Sequence, residues 1–170
     1  MERIARFCKV SRDRFAKDWA EAFPEDCAGL IDQIYESIEL PRRATQGSAG
    51  YDFFAPVSFT LKPGETIKLP TGIRAWMEDG WVLMCFPRSG LGFKYRLQLN
   101  NTVGIIDSDY YDSDNEGHIF AKLTNDSNED RTVYVEAHTG FMQGIFTPFG
   151  ITLDDEVCAV RNGGFGSTTQ

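Results

Sequence analysis

The sequence predicts an all-β fold, a sandwich or jelly roll, with a pair of helices set near its N-terminus. Three observations carry that expectation. Short apolar runs of strand length recur from residue 57 to residue 149. Turn residues punctuate them at close spacing, which is the pattern of two packed antiparallel sheets. Before Leu40 the apolar residues recur instead at helical spacing.

The elements follow in order. Residues 4–10 suit a short strand. Phe15, Trp19, Ala22 and Phe23 then mark one helix, which Ser11 is placed to cap, and Leu30, Ile31, Ile34, Tyr35 and Ile38 mark a second, with Pro24 between the two. Lys62-Pro63-Gly64 has proline and glycine placed for a type II turn joining strands 57–61 and 66–69. Asp79-Gly80 turns strand 73–77 back into strand 81–86. Further strands are expected at 97–101, 118–123, 132–135 and 144–149. The tail, 161–170, is glycine-rich without a core-building pattern, and by composition alone it reads as a frayed terminus.

A chain of 170 residues with 42% hydrophobic and 25% charged residues is long enough to bury one real core, expected over residues 1–160. Its formal charge of -8 argues against a surface built to cover nucleic acid, because no basic excess exists to displace counterions. Cys8, Cys27, Cys85 and Cys158 are scattered, which is neither a disulfide framework nor a zinc pattern, and Cys85 in the run 81–86 reads as a core residue. No signal-peptide core or membrane-length run stands out, so a cytoplasmic protein with no membrane partner is expected.

Several residues are candidates for chemistry, each with a bland alternative. Asp107 follows the apolar pair Ile105-Ile106, which would partly desolvate a carboxylate acting as a general base; it also reads as one acid among several in a turn. Asp112, Asp114, Glu116 and Gly117 match the first half of an EF-hand loop, but the twelfth position is Leu123, so calcium is rejected. Arg88, Ser89 and Gly90 offer a planar fork, a hydroxyl and an open backbone to a phosphate, or simply a strand end and turn. Asp52 and Gln143 are polar positions in apolar strands. His118 and His138 have no motif around them and read as surface or strand-edge residues.

Five short blocks stand in sequence order: Ala49-Gly-Tyr-Asp-Phe53, Pro87-Arg-Ser-Gly-Leu91, Gly104-Ile-Ile-Asp-Ser-Asp-Tyr110, Gln143, and Arg161-Asn-Gly-Gly-Phe-Gly-Ser-Thr168. Together they resemble the five motifs of the trimeric deoxyuridine triphosphatases (dUTPases), from about Leu40 to the C-terminus. The resemblance implies a jelly-roll β-barrel carrying a helical insertion at 11–38 and a mobile C-terminal arm at 161–170. It implies a homotrimer with shared active sites, Mg2+, and hydrolysis of dUTP to dUMP and pyrophosphate, which keeps uracil out of DNA and supplies dUMP for dTMP synthesis.

The same resemblance implies the site roles. Asp107 would activate water for attack on the α-phosphorus. Tyr110 would pack against the deoxyribose, and Asn101, Gly104 and Ile106 would hold uracil on a β-hairpin from Asn101 to Asp107. Arg88, Ser89, Gly90 and Gln143 would bind the phosphates, and Asp52 would hold a water on the metal. In the arm, Phe165 would stack on the base, Gly163, Gly164 and Gly166 would offer amides, Ser167 and Thr168 hydroxyls, and Arg161 would meet the γ-phosphate. This chain departs from the family pattern in five places, the smallest being Gly92-Phe93 after Leu91, where a small residue is common. Arg161 stands four residues before Phe165 rather than five, with Val160 at the usual place. Gly140-Phe141-Met142 replaces an acidic-basic pair, the 111–117 link is long, and the helical 11–38 region is added, a candidate surface for a protein partner. Two rival readings remain: a dCTP deaminase of the same fold, bifunctional members included, against which Tyr110 and the Phe-Gly-Ser-Thr tail favour dUTP hydrolysis, and a dUTP-gated regulatory binding protein.

Overall fold

The computed structural model describes residues 2–159 and Arg161. Strand β1 (Ala5–Lys9) leads into helices α1 (Arg12–Ala22) and α2 (Ala28–Ser37). Strands β2 (Arg42–Arg43), β3 (Tyr51–Phe54), β4 (Phe59–Leu61), β5 (Thr66–Pro70), β6 (Ile73–Met77) and β7 (Trp81–Pro87) follow. A short helix α3 (Ser89–Tyr95) precedes β8 (Leu97–Leu99) and β9 (Gly104–Ile106), and a 3-10 turn (Ser108–Asp112) precedes β10 (Phe120–Asn125), β11 (Val133–Val135) and β12 (Gly140–Pro148). No helix among the described residues is long and apolar enough to cross a membrane.

The helices form for the reasons their sequence offers. The Ser11 hydroxyl caps α1 by accepting from the Arg14 N–H at 3.2 Å. The stripe of α1 buries Phe15 and Trp19, whose rings lie 5.2 Å apart, and α2 buries Ile31 and Ile34. These side chains share one cluster with the strand residues Leu69, Leu83, Leu123 and Phe141. The helical pair therefore completes the core of the β domain. Removing the fully buried Phe15 ring from that core would cost about 3–5 kcal/mol. Cys85 is buried in the same cluster, as expected, and burial pushes its thiol up to about 12.

All pairings are antiparallel, in the sheets β2-β3-β12-β7-β9, β5-β10-β8, β1-β6 and β4-β11. These ladders do not join into one closed barrel among the described residues. The three tight links all hand the chain from one sheet to another. In the turn at 62–65 the Glu65 N–H donates to the Lys62 carbonyl at 3.0 Å, yet β4 pairs with β11 and β5 with β10. Beyond Asp79-Gly80, β6 pairs with β1 and β7 with β12. The hairpin expected from Asn101 to Asp107 is likewise absent: β8 pairs with β10 and β9 with β7. The Thr102 N–H donates to the Leu99 carbonyl at 2.8 Å, closing a turn that separates the two strands instead of aligning them.

Two further expectations are corrected. The segment after Arg88 is helical, because Leu91 and Gly92 both donate their N–H groups back to the Arg88 carbonyl at 3.0 Å. His118 is fully buried, not a surface or strand-edge residue, because α1 supplies Asp18 as a partner for its ring. His138 is exposed, as expected, in the turn before β12.

Candidate active site

Strand β9 lies against β7, with Gly104 opposite Cys85 and Ile106 opposite Leu83. The chain leaves β9 at Asp107, whose extended backbone (φ -79°, ψ 158°) opens the 3-10 turn that carries Tyr110. Asn101, Gly104, Ile106, Asp107, Tyr110 and Arg161 line one cavity of about 320 Å³. That volume lies at the lower end of the range for small-molecule sites. Cys85, Leu99, Ile119, Phe120 and Met142 share its walls, a role their sequence does not announce. These are apolar residues of ordinary core type, so no chemical signature marks them in the sequence.

Asp107 is half exposed, at 45% of its side chain, and Ile105 beside it is exposed, so the single chain leaves this carboxylate less desolvated than the apolar pair suggests. Its Oδ2 pairs with Nη2 of Arg161, while Arg161 Nε donates to Asp109 Oδ1 at 2.8 Å. Asp109 thus joins the site as a second anchor for the arginine, a role its place in an acidic turn does not reveal. Tyr110 is buried, and its hydroxyl donates to the His118 carbonyl at 2.7 Å. Burial holds this phenol above its ordinary value, so it stays protonated and able to donate.

Arg88, Ser89 and Gly90 line a different, more open cavity of about 620 Å³, together with Tyr134, Glu136 and Gly140. Nε of Arg88 lies 3.3 Å from Oδ1 of Asp52, which is 17% exposed. Gly140 makes room for this arginine, since a Cβ there would come within 3.0 Å of the Arg88 Cδ and Nη1. Gln143 stands opposite Asp52 on β3 and Phe86 on β7, and its Nε2 donates to the Pro87 carbonyl at 3.3 Å. The structure therefore brings Asp52, Arg88 and Gln143 together around β12 but keeps them apart from the cavity of Asp107. Phe165, Gly163, Gly164, Gly166, Ser167 and Thr168 lie outside the described residues.

Among the described residues no group of three or more His, Cys, Asp or Glu side chains could enclose a metal ion. A lone carboxylate such as Asp52 could still reach the waters of a hydrated Mg2+ carried chiefly by phosphate oxygens.

Comparison with known proteins adds sequence and fold relatives. A family model described as dUTPase matches residues 36–169. The deoxyuridine 5'-triphosphate nucleotidohydrolase of Lactococcus lactis subsp. lactis is 43% identical over 134 residues, covering 77% of this chain and 88% of that protein. The crystal structure of a dUTPase from Streptococcus mutans is 42% identical, with a TM-score of 0.58 over 66% of this chain and 88% of that one. A dUTPase from phage phi11 of S. aureus, only 18% identical, shares the fold with a TM-score of 0.62 over 97% of this chain and 99% of that one.

Proposed function

The chain belongs to the dUTPase family and hydrolyses dUTP to dUMP and pyrophosphate; from that premise we propose how its residues divide the work. Asp107 is the general base. It takes a proton from the water that attacks the α-phosphorus, and Tyr110 walls the deoxyribose beside it. Asn101, Gly104 and Ile106 receive the uracil in the same cavity. The observation that carries this reading is the 320 Å³ cavity with Asp107 and Tyr110 side by side in its wall. A site that hydrogen-bonds uracil rejects cytosine, because mismatched donors would be buried without partners.

Arg88, Ser89, Gly90 and Gln143 bind the triphosphate, the guanidinium and the first amides of α3 offering donors to phosphate oxygens. Arg161 releases the carboxylates of Asp107 and Asp109 to meet the γ-phosphate, which frees the base at the moment substrate binds. Phe165 stacks on the base, and Gly164, Gly166, Ser167 and Thr168 close over the phosphates. Asp52 would hold a hydrated Mg2+ through one of its waters, and the bound metal would supply charge withdrawal from the triphosphate oxygens. Arg88, Ser89 and Gly90 line one cavity of the chain and the base-side residues another, which supports a homotrimer whose sites are completed by neighbouring subunits. In that assembly the sheets form the jelly roll, and 11–38 is an addition to it.

The test is product analysis with Mg2+ and dUTP, dCTP, dTTP or UTP, on the natural chain and on Asp107→Asn. The natural chain should release pyrophosphate and dUMP from dUTP. Asp107→Asn should still bind dUTP, with turnover reduced by roughly 10²–10⁴. Unchanged turnover in Asp107→Asn would place the base elsewhere, and deaminated product from dCTP would assign the site to the sister reaction.

A further inference from the structure

Helix α1 and the long loop after the 3-10 turn are joined by a run of polar contacts that ends at the Asp107 cavity. The Ser11 N–H and hydroxyl both donate to the Glu116 carboxylate, at 2.7 and 2.6 Å. Arg14 Nη2 donates to the Asp114 carbonyl at 3.0 Å, and its Nη1 lies 3.3 Å from Asp18 Oδ1. Asp18 Oδ2 lies 2.6 Å from Nδ1 of the buried His118 ring. The Gly72 N–H donates to His118 Nε2 at 2.8 Å, so that nitrogen holds the lone pair and Nδ1 carries the proton towards Asp18.

From His118 the run continues into the cavity wall. Its carbonyl accepts the Tyr110 hydroxyl, and Asn115 Nδ2 donates to the same hydroxyl, each at 2.7 Å. The Asn115 amide is itself oriented, because its Oδ1 accepts from Ser113 Oγ at 2.8 Å and from the Gly117 N–H at 3.2 Å. The inner members of the run, Asp18, His118 and Tyr110, are buried, so loosening a link between them leaves a neighbour unsatisfied.

We propose that Asp18 and His118 are positioning residues for the nucleoside site: through the His118 carbonyl and Asn115 they fix the Tyr110 ring, making helix α1 the buttress of the sugar-side wall. This rests on the reading of Tyr110 as that wall. A ring anchored at its hydroxyl cannot retreat to admit a ribose 2'-hydroxyl. With the anchor loosened, the ring can shift and the sugar-side wall yields. The helical region is thereby tied to substrate choice as well as to the core.

The test is steady-state kinetics on the full chain with dUTP and with UTP, for Asp18→Ala, Asp18→Asn, Tyr110→Phe and the Asp18→Ala/Tyr110→Phe pair. Asp18→Ala removes the acceptor of the His118 proton, Asp18→Asn keeps an oxygen there, and Tyr110→Phe keeps the ring without its anchor. Asp18→Ala should raise KM for dUTP more than it lowers kcat. Its preference for dUTP over UTP should shrink, by up to about 100-fold, the order expected when a site group shifts by an ångström. Asp18→Asn should recover most of that preference, and Tyr110→Phe should lose it similarly. The pair should lose little beyond either single change. A folded Asp18→Ala with its preference intact, or losses that simply multiply in the pair, would overturn the proposal. Should Asp18→Ala fail to fold, an unchanged preference in Tyr110→Phe overturns it alone. A natural chain that takes UTP as readily as dUTP would sink the sugar-wall reading itself, an outcome recognisable before any substitution is made.

Discussion

The imidazole of His118 has no water within reach, so both of its nitrogens find partners inside the protein, Nδ1 at Asp18 and Nε2 at the Gly72 amide. Burial holds this ring below its ordinary 6.5, against the opposite pull of Asp18. The sign of the pH effect follows. As pH falls through about 6.5 the unfolded chain takes up a proton that the folded ring resists, so the unfolded state gains. The thermal midpoint should therefore drop between about pH 7.5 and pH 5.5, above the window where carboxylates titrate. His118→Gln should flatten that slope while lowering the midpoint throughout. A midpoint that rises on acidification would mean that the pair gains a charged His118 on folding. Tyr110 obeys the same rule: a buried phenol keeps its proton and spends it on the His118 carbonyl. Asp107 stood out in the sequence as a candidate because its block stands among others that resemble family motifs, although alone it reads as one acid among several in a turn. His118 did not stand out, because its partner is a hundred residues away.

At the scale of elements, the loop between the 3-10 turn and β10 is specified by backbone geometry as much as by side chains. Gly117 has φ +65°, and a Cβ there would come within 2.7 Å of the Tyr110 carbonyl oxygen and the Tyr111 Cα. Neither atom can move without moving the turn that carries Tyr110 and follows Asp107. Gly117→Ala should destabilise the protein by more than about 1 kcal/mol and reduce turnover together, as read by urea denaturation and by kcat/KM. Full stability with full activity would mean that the loop can re-form around the new methyl. The tight turns teach a related lesson. Lys62-Pro63-Gly64 and Asp79-Gly80 were readable as turns from their own residues, because turn chemistry is local. Which strands they would leave paired was not, since each turn passes the chain between sheets.

For the molecule as a whole, the unevenness of its surface is informative. Ile151, Leu153 and Val157 are exposed along the stretch after β12, and Arg88, Ser89 and Gly90 line a cavity other than that of Asp107. Both features are what a subunit would present before its neighbours cover it. A chain truncated after Ala159 should keep the mass of a trimer in sedimentation while losing most turnover, because it lacks Arg161 and the Gly-Phe-Gly-Ser-Thr segment. Full activity in the truncated chain would remove the arm from the site, and a truncated monomer would show that the tail holds subunits together.

By itself the sequence determined the β class, the helical pair with Ser11 capping its first member, the turns, the family and the identity of Asp107, Arg88 and Tyr110 as candidates. All of these rest on periodicity, on turn and cap chemistry, or on short contiguous blocks. Only the tertiary structure decided that the helices complete the core, that β8 and β9 part company, and that Asp18 meets His118 behind Tyr110. The physical reason is the range of the interactions: propensity and spacing act over a few residues, whereas packing and buried hydrogen bonds join segments that only the folded chain brings together.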